Sequence, residues 1–199
     1  MKKWLLATQN PGKLQEFSQA LEHLGIEFIS LNAVGFDDSI AETGETFVEN
    51  ALIKARFAAK KYNMPALADD SGLEIDALGG APGVYSARYA GEHASDDKNI
   101  DKVLMALEGV AEEKRGARFV CVLALVLPDG RAHTVRGEAR GRITTARVGT
   151  DGFGYDPIFF VPALNRTMAQ LTFDEKNAIS HRGKALAALA TLLKDVEID

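Results

Sequence analysis

The chain has 199 residues, 46% hydrophobic and 26% charged, with 18 glycines and 6 prolines, proportions that exclude disorder, collagen-like repeats and other low-complexity classes. At this length about 70% of the unfolded surface can be buried, so one domain needs no staples. The formal net charge of −5 argues against a basic surface for duplex binding, yet leaves room for a small anion held by a few local cations.

Residues 1–7 carry too short an apolar stretch for a secretory signal, whose core needs about 7–15 apolar residues. No window approaches the roughly 20 apolar residues of a membrane span. A cytoplasmic protein with neither membrane nor nucleic-acid partner is therefore expected. Residues 4–7 read as a short buried strand. Asn10 then suits an N-cap, Pro11 the first helical position and Gly25 the stop. Leu14, Phe17, Leu21 and Leu24 recur between them at helical spacing. A strand over 27–30 and a polar loop to Gly44 precede a second amphipathic helix, marked by Phe47, Ala51, Ala55, Ala58 and Tyr62 and closed before Pro65. Residues 66–68 form a small strand that runs into Asp69-Asp70-Ser71-Gly72, with 73–76 as a continuation and a turn-rich loop over 79–83.

Ser95 caps a helix whose Ile100, Val103, Leu104 and Leu107 face inward. Residues 119–127 are almost unbroken apolar sequence, as in a central strand covered on both faces. The lone Cys121 lies inside that run and reads as a core residue; one cysteine makes neither an internal disulfide nor a cysteine zinc cluster. Asp129-Gly130 signals a hairpin, so a strand over 131–135 returns antiparallel. Strands over 142–147 and 158–161 flank a glycine-rich segment, 149–154. Thr172 and Glu175 have capping-box spacing, and Leu186, Leu189, Leu192 and Leu193 stripe a C-terminal helix. An early parallel crossover plus a later hairpin predicts an α/β domain, a mixed β-sheet with helices packed on it.

Four stretches could carry chemistry. Thr8-Gln9-Asn10-Pro11-Gly12-Lys13 lies at a strand-to-helix turn, where free N–H groups and a lysine attract phosphate; the plainer reading is a capped helix with a surface lysine. It is not a P-loop, and neither is Gly183-Lys184. Asp69-Asp70-Ser71-Gly72 places two carboxylates at a strand end, either in an Asx-turn or facing a ligand. Neighbours on an extended chain point opposite ways, so one carboxylate faces the site. Glu42 is a solvated acid unless it serves as a second carboxylate for magnesium. Lys54 borders the apolar stripe of its helix, to snorkel into water or to reach an anionic pocket. In the last third, Phe153 between glycines offers a face to a planar ligand, and Lys176, His181 and Arg182 offer donors to a carbonyl oxygen. Core packing and a solvated helix start are the alternatives there. His23, His93 and His133 lack metal-like spacing, and Ser71 lacks the Gly-x-Ser-x-Gly elbow of serine hydrolases.

Together these residues resemble a known family. Thr8-x-Asn10-x-x-Lys13, Glu42-Thr43-Gly44, Phe47-x-Glu49-Asn50-Ala51-x-x-Lys54-Ala55, Ala68-Asp69-Asp70-Ser71-Gly72, Gly80-Ala81-Pro82-Gly83-x-Tyr85-Ser86-Ala87-Arg88, Gly152-Phe153-Gly154-Tyr155-Asp156-Pro157 and Ser180-His181-Arg182-Gly183 resemble the motifs of the inosine triphosphate (dITP/XTP) pyrophosphatases, which act on non-canonical purine nucleoside triphosphates. Gln9 and Ala41 depart mildly from the pattern. The resemblance implies a single nucleotide pyrophosphatase domain over 1–199, with an elongated mixed sheet, two lobes and a central cleft, assembled as a homodimer. It implies Mg²⁺-dependent hydrolysis of ITP, dITP or XTP to the monophosphate and pyrophosphate. Asp70, with Asp69 and Lys54, would be catalytic, and Glu42 and Asp70 would hold the metal. Thr8, Gln9, Asn10, Pro11, Gly12 and Lys13 would grip the triphosphate. Ser71, Phe153, Gly154, Tyr155, Asp156, Lys176, His181 and Arg182 would hold the nucleoside end. Two other readings stand beside this one: a related pyrophosphatase for other nucleotides, and a sensing module that binds without hydrolysis.

Overall fold

A computed structural model describes residues 2–8, 11–36 and 38–195. Seven strands form one mixed sheet in the order β2-β1-β3-β4-β5-β6-β7. They are β1 Lys2–Leu6, β2 Ile26–Ser30, β3 Ala66–Ile75, β4 Gly116–Val126, β5 Ala132–Ile143, β6 Phe159–Val161 and β7 Arg166–Thr167. The helices are α1 Pro11–Leu21, α2 Phe47–Tyr62, α3 Asp96–Ala106, α4 Phe173–Ile179 and α5 His181–Asp195. β1 pairs in parallel with both β2 and β3, and each of those links passes through a helix, as parallel strands require. β4 and β5 are joined by a tight turn in which Leu127 N–H donates to the Arg131 carbonyl, so the hairpin expected at Asp129-Gly130 is present. β6 runs antiparallel to β5 and to β7.

β7 was not expected, and two other strands differ from expectation in extent. β3 is one continuous ten-residue strand, so Asp69 and Asp70 lie inside it and not in a turn beyond its end. Lysine partners for both carboxylates, described below, let the acidic pair remain in extended chain. β5 likewise runs unbroken over twelve residues, where separate strands over 131–135 and 142–147 were expected; residues 144–147 lie outside any strand. Its charged positions alternate with the buried Ala139 and Ile143, a strand period that the flanking glycines, Gly137 and Gly141, obscure.

The chain divides into two compact units. The first comprises Met1–Asp70, Cys121–Gly137 and Lys184–Asp199. Its core joins Trp4, Leu6, Phe17, Leu67, Leu123 and Leu186, with the Trp4 ring edge-on to Phe28 at 6.1 Å between centroids, a favoured aromatic geometry. Cys121 belongs to this core, fully buried. The second comprises Ser71–Val120 and Glu138–Gly183, around Leu73, Val103, Phe119, Tyr155, Phe159 and Met168. None of the described helices is long and apolar enough to cross a membrane.

Candidate functional site

Three elements and a loop of the first unit bring its charged side chains together. α2 starts at a capping box that the spacing of Thr46 and Glu49 encodes. Thr46 Oγ1 accepts the Glu49 N–H while the Glu49 carboxylate accepts the N–H groups of Thr46 and Glu45, satisfying donors that a helix start leaves open. Buried Asn50 accepts the Gly44 N–H at 2.8 Å, tying the loop that carries Glu42 to the same helix. One turn beyond Asn50, Lys54 Nζ donates to Glu42 Oε1 at 2.5 Å and to Asp70 Oδ1 at 3.3 Å. Its side chain is only 12% exposed, so it reaches inward and does not snorkel. From α1, Lys13 Nζ donates to both oxygens of Asp69, at 2.9 and 2.7 Å. Successive side chains of a strand point to opposite faces, and here each aspartate meets a different lysine.

Asp70 is poised between opposing influences. Burial pushes its carboxyl up, Lys54 draws it down, and Glu42 and Asp69 push it up again; the balance lies at about 6, against an ordinary 3.8. Burial works against the Lys54 ammonium, but the attraction of Asp70, Asp69 and Glu42 outweighs it and holds the group above its ordinary 10.5. A carboxylate tuned close to neutrality can take a proton from water at physiological pH.

Thr8, Lys13, Glu42, Lys54 and Asp69 line one cavity of about 220 Å³. Asp38, Ser39 and Ile40 line it too, and sequence reasoning missed all three because nothing in that polar loop distinguishes them. Gln9 and Asn10 lie outside the described residues; Pro11 and Gly12 open α1. The donor set suits a hard cation. Asp70 Oδ2 is buried without a hydrogen-bond partner, and Glu42 stands on the other side of the shared lysine. Among the described residues no three acidic, histidine or cysteine side chains group closely enough to cage a metal. Mg²⁺ asks for no cage, since it takes one or two carboxylates with phosphate oxygens and water. Glu42 and Asp70 fit that requirement.

In the second unit Lys176, Asp156 and Arg182 gather around Phe153, a residue 54% exposed. Lys176 Nζ lies 4.5 Å from the ring centroid and the Arg182 guanidinium carbon 5.8 Å, within cation–π range. Asp156, buried, accepts from Lys176 Nζ at 2.5 Å and from the Phe153 N–H at 3.0 Å. Gly152 has φ +83°, and a side chain there would collide with the Asp156 carboxylate, so no other residue suits that position. Ser180 stands before α5 and accepts the Gly183 N–H at 3.0 Å, a cap that sets His181 and Arg182 on the first turn. The solvated helix start expected as an alternative is corrected here: the two residues do open a helix, but at 8% and 7% exposure they are buried and do not face water. The His181 ring stacks on Phe119 at 4.9 Å. Tyr155 points elsewhere, into the core, with its hydroxyl donating to the Ser86 carbonyl at 2.8 Å. Burial, with Tyr89 and Asp96 nearby, keeps that hydroxyl protonated. Ser71, on β3, is the first residue of this unit.

Sequence reasoning also missed the side chains that fasten the loop over 83–90. Ser86 Oγ donates to the Gly83 carbonyl and accepts the Leu73 N–H. Asn99 accepts the Ala90 N–H and donates to the Ala87 carbonyl. Ser86 and Ala87 lie within the Gly80–Arg88 motif, but nothing in the sequence shows that they hold a loop.

The geometry can be set beside known proteins. A dITP/XTP pyrophosphatase of Bacillus subtilis (strain 168) is 53% identical over 98% of both chains. A HAM1 protein from Coxiella burnetii superposes with a TM-score of 0.92 at 50% identity, covering 98% of this chain and 100% of that one. A nucleoside-triphosphatase / dITP/XTP pyrophosphatase from Mycobacterium abscessus gives 0.81 at 48% identity, over 94% and 98%. A sequence model of the Ham1 family matches residues 4–192, and with relatives this close over the whole length the chain belongs to the Ham1 family.

Proposed function

We propose that this chain hydrolyses the non-canonical purine nucleoside triphosphates ITP, dITP and XTP to the monophosphate and pyrophosphate, cleansing the nucleotide pool. The observation that carries the reading is Asp70, a buried carboxylate held at 3.3 Å from Lys54 Nζ and raised to about 6, in a family whose curated relatives are named for this activity. Water attacks the α-phosphorus; its proton passes to Asp70, the bond from the α-phosphorus to its bridging oxygen breaks, and pyrophosphate leaves. Lys13 and Lys54 neutralise phosphate oxygens as charge builds on them, and Thr8 with the start of α1 supplies further donors. Asp69 keeps the Lys13 ammonium in place. Glu42 and Asp70 are the residues that would hold Mg²⁺, which when bound spreads phosphate charge and orients the triphosphate.

Selection of the base falls to the second unit. Hypoxanthine and xanthine present an acceptor oxygen at position 6, where adenine presents an amino donor. Donors from Lys176, His181 and Arg182 favour the oxygen and leave adenine facing unmatched groups, and a site built this way can discriminate about 10⁴-fold. Phe153 supplies the stacking surface and Ser71 a further hydroxyl. The enzyme works as a cytoplasmic homodimer in this reading.

The test is purified protein with Mg²⁺ offered ITP, dITP, XTP, ATP and GTP, with released pyrophosphate measured and chelator as control. The expected result is rapid turnover of the first three and loss of all activity on chelation. Nucleotide binding without turnover would assign the chain to sensing. Equal rates on ATP and GTP would overturn the purine specificity, and sedimentation at the mass of one chain would overturn the dimer.

A further inference from the structure

Phe153 sits in a stretch of chain with little rigidity of its own. Gly152 and Gly154, on either side, both adopt positive φ, +83° and +58°, and glycines move between backbone regions at low cost. A stacking surface on such a hinge needs outside restraint. The Phe153 N–H donates to Asp156 Oδ2 at 3.0 Å, and the next N–H, that of Gly154, donates to Asp96 Oδ2 at 2.7 Å. These N–H groups belong to the two peptide planes that meet at the Phe153 α-carbon. Fixing both planes fixes φ and ψ there, and with them the direction of the Cα–Cβ bond and the rotamers open to the ring.

Asp96 is well placed for this task. It is the first residue of α3, yet the cap of that helix is its neighbour Ser95, whose hydroxyl accepts the Lys98 N–H. α3 is itself anchored to the chain just ahead of the glycine-rich segment: Arg147 donates to the Asp97 carbonyl at 3.0 Å and to Asp101 Oδ1 at 2.7 Å. The helix thus offers a fixed carboxylate, and a charged acceptor makes a stronger hydrogen bond than a neutral one.

We propose that Asp96 is a positioning residue for purine binding, which orients the Phe153 ring by holding the Gly154 peptide, in parallel with Asp156. The inference rests on Phe153 being the surface that stacks against the base. Asp96 is exposed at a helix start, so replacing it leaves the core of the second unit intact.

The experiment compares Asp96→Ala, Asp96→Asn and Phe153→Ala with the parent protein. Titration calorimetry gives the affinity for IMP, which carries the base, and for inorganic tripolyphosphate, which does not; steady-state kinetics on ITP separates KM from kcat. Asp96→Ala should weaken IMP binding and raise KM by about tenfold, the loss of one charge-assisted hydrogen bond. Its tripolyphosphate affinity and kcat should stay within about twofold of the parent, and Asp96→Asn, which keeps an acceptor oxygen, should restore most of the IMP affinity. The proposal is overturned if Asp96→Ala binds IMP like the parent while Phe153→Ala does not. Equal weakening of IMP and tripolyphosphate would also overturn it, since that is a general structural loss. If Phe153→Ala itself binds IMP normally, the stacking role of Phe153 fails, and that outcome is distinct from a failure at Asp96.

Discussion

At the scale of single residues, the proposed role of Asp70 ties rate to pH. Its carboxyl must be ionised to accept a proton, so kcat/KM on ITP should fall about tenfold per pH unit on the acid side of its titration, with a midpoint that moves down from the metal-free value of about 6 as Mg²⁺ is raised. Asp70→Asn removes the acceptor and should lower turnover by about 10²–10⁴ while nucleotide still binds. The same shift affects the fold with the opposite sign. A carboxyl whose pKa is raised on folding holds its proton more tightly in the native state, so native stability is lost as pH rises from the unfolded value to the folded one. In chelator, Asp70→Asn should therefore melt higher than the parent at pH 8 and equal to it at pH 3.5; a lower melting temperature at pH 8 would contradict the burial cost. Lys54 draws the Asp70 pKa down, so Lys54→Met should move the acid limb of the pH–rate profile above that of the parent, besides slowing the reaction.

At the scale of elements, α2 carries Lys54 and braces Glu42 through the Asn50–Gly44 hydrogen bond, so its cap matters to the site. Thr46→Ala should cost about 1 kcal/mol, read as a fall of about 2–4 °C in melting temperature, with Glu42 less firmly held and KM for the triphosphate raised. Much of this level was legible beforehand. The helical spacing from Phe47 to Tyr62 gave α2 its face, the apolar run through Cys121 gave β4, and Asp129-Gly130 gave the turn. What escaped depends on distant partners. The Asp69-Asp70-Ser71-Gly72 stretch has the composition of a turn, and Lys13 and Lys54, remote in sequence, offset the charge of two carboxylates held inside a strand. Lys54, bordering its helix's apolar stripe, was legible only as a choice between snorkelling and reaching inward, and the distant Glu42 and Asp70 decide it. Asp96 was not readable at all, since its acceptor role depends on where a helix start meets a loop some sixty residues later.

At the scale of the whole molecule, the two units carry different chemistries. The first holds paired lysines and carboxylates and the second an aromatic ring flanked by cations, which the proposed function assigns to a polyphosphate and a base. Substitutions should sort accordingly. Arg182→Ala should narrow the preference for ITP over ATP by tenfold or more, whereas Lys13→Ala should slow every triphosphate by a similar factor; the ratio of kcat/KM values on the two nucleotides separates the cases. The ammonium of Lys54, standing between Glu42 and Asp70, has one more consequence. Because that positive group is covalently attached, dialysis against a metal scavenger cannot strip the two acids of their counter-charge. The polypeptide should survive such treatment with its circular dichroism unchanged, remain dormant in storage, and regain full catalytic competence within mixing time once the divalent ion is returned.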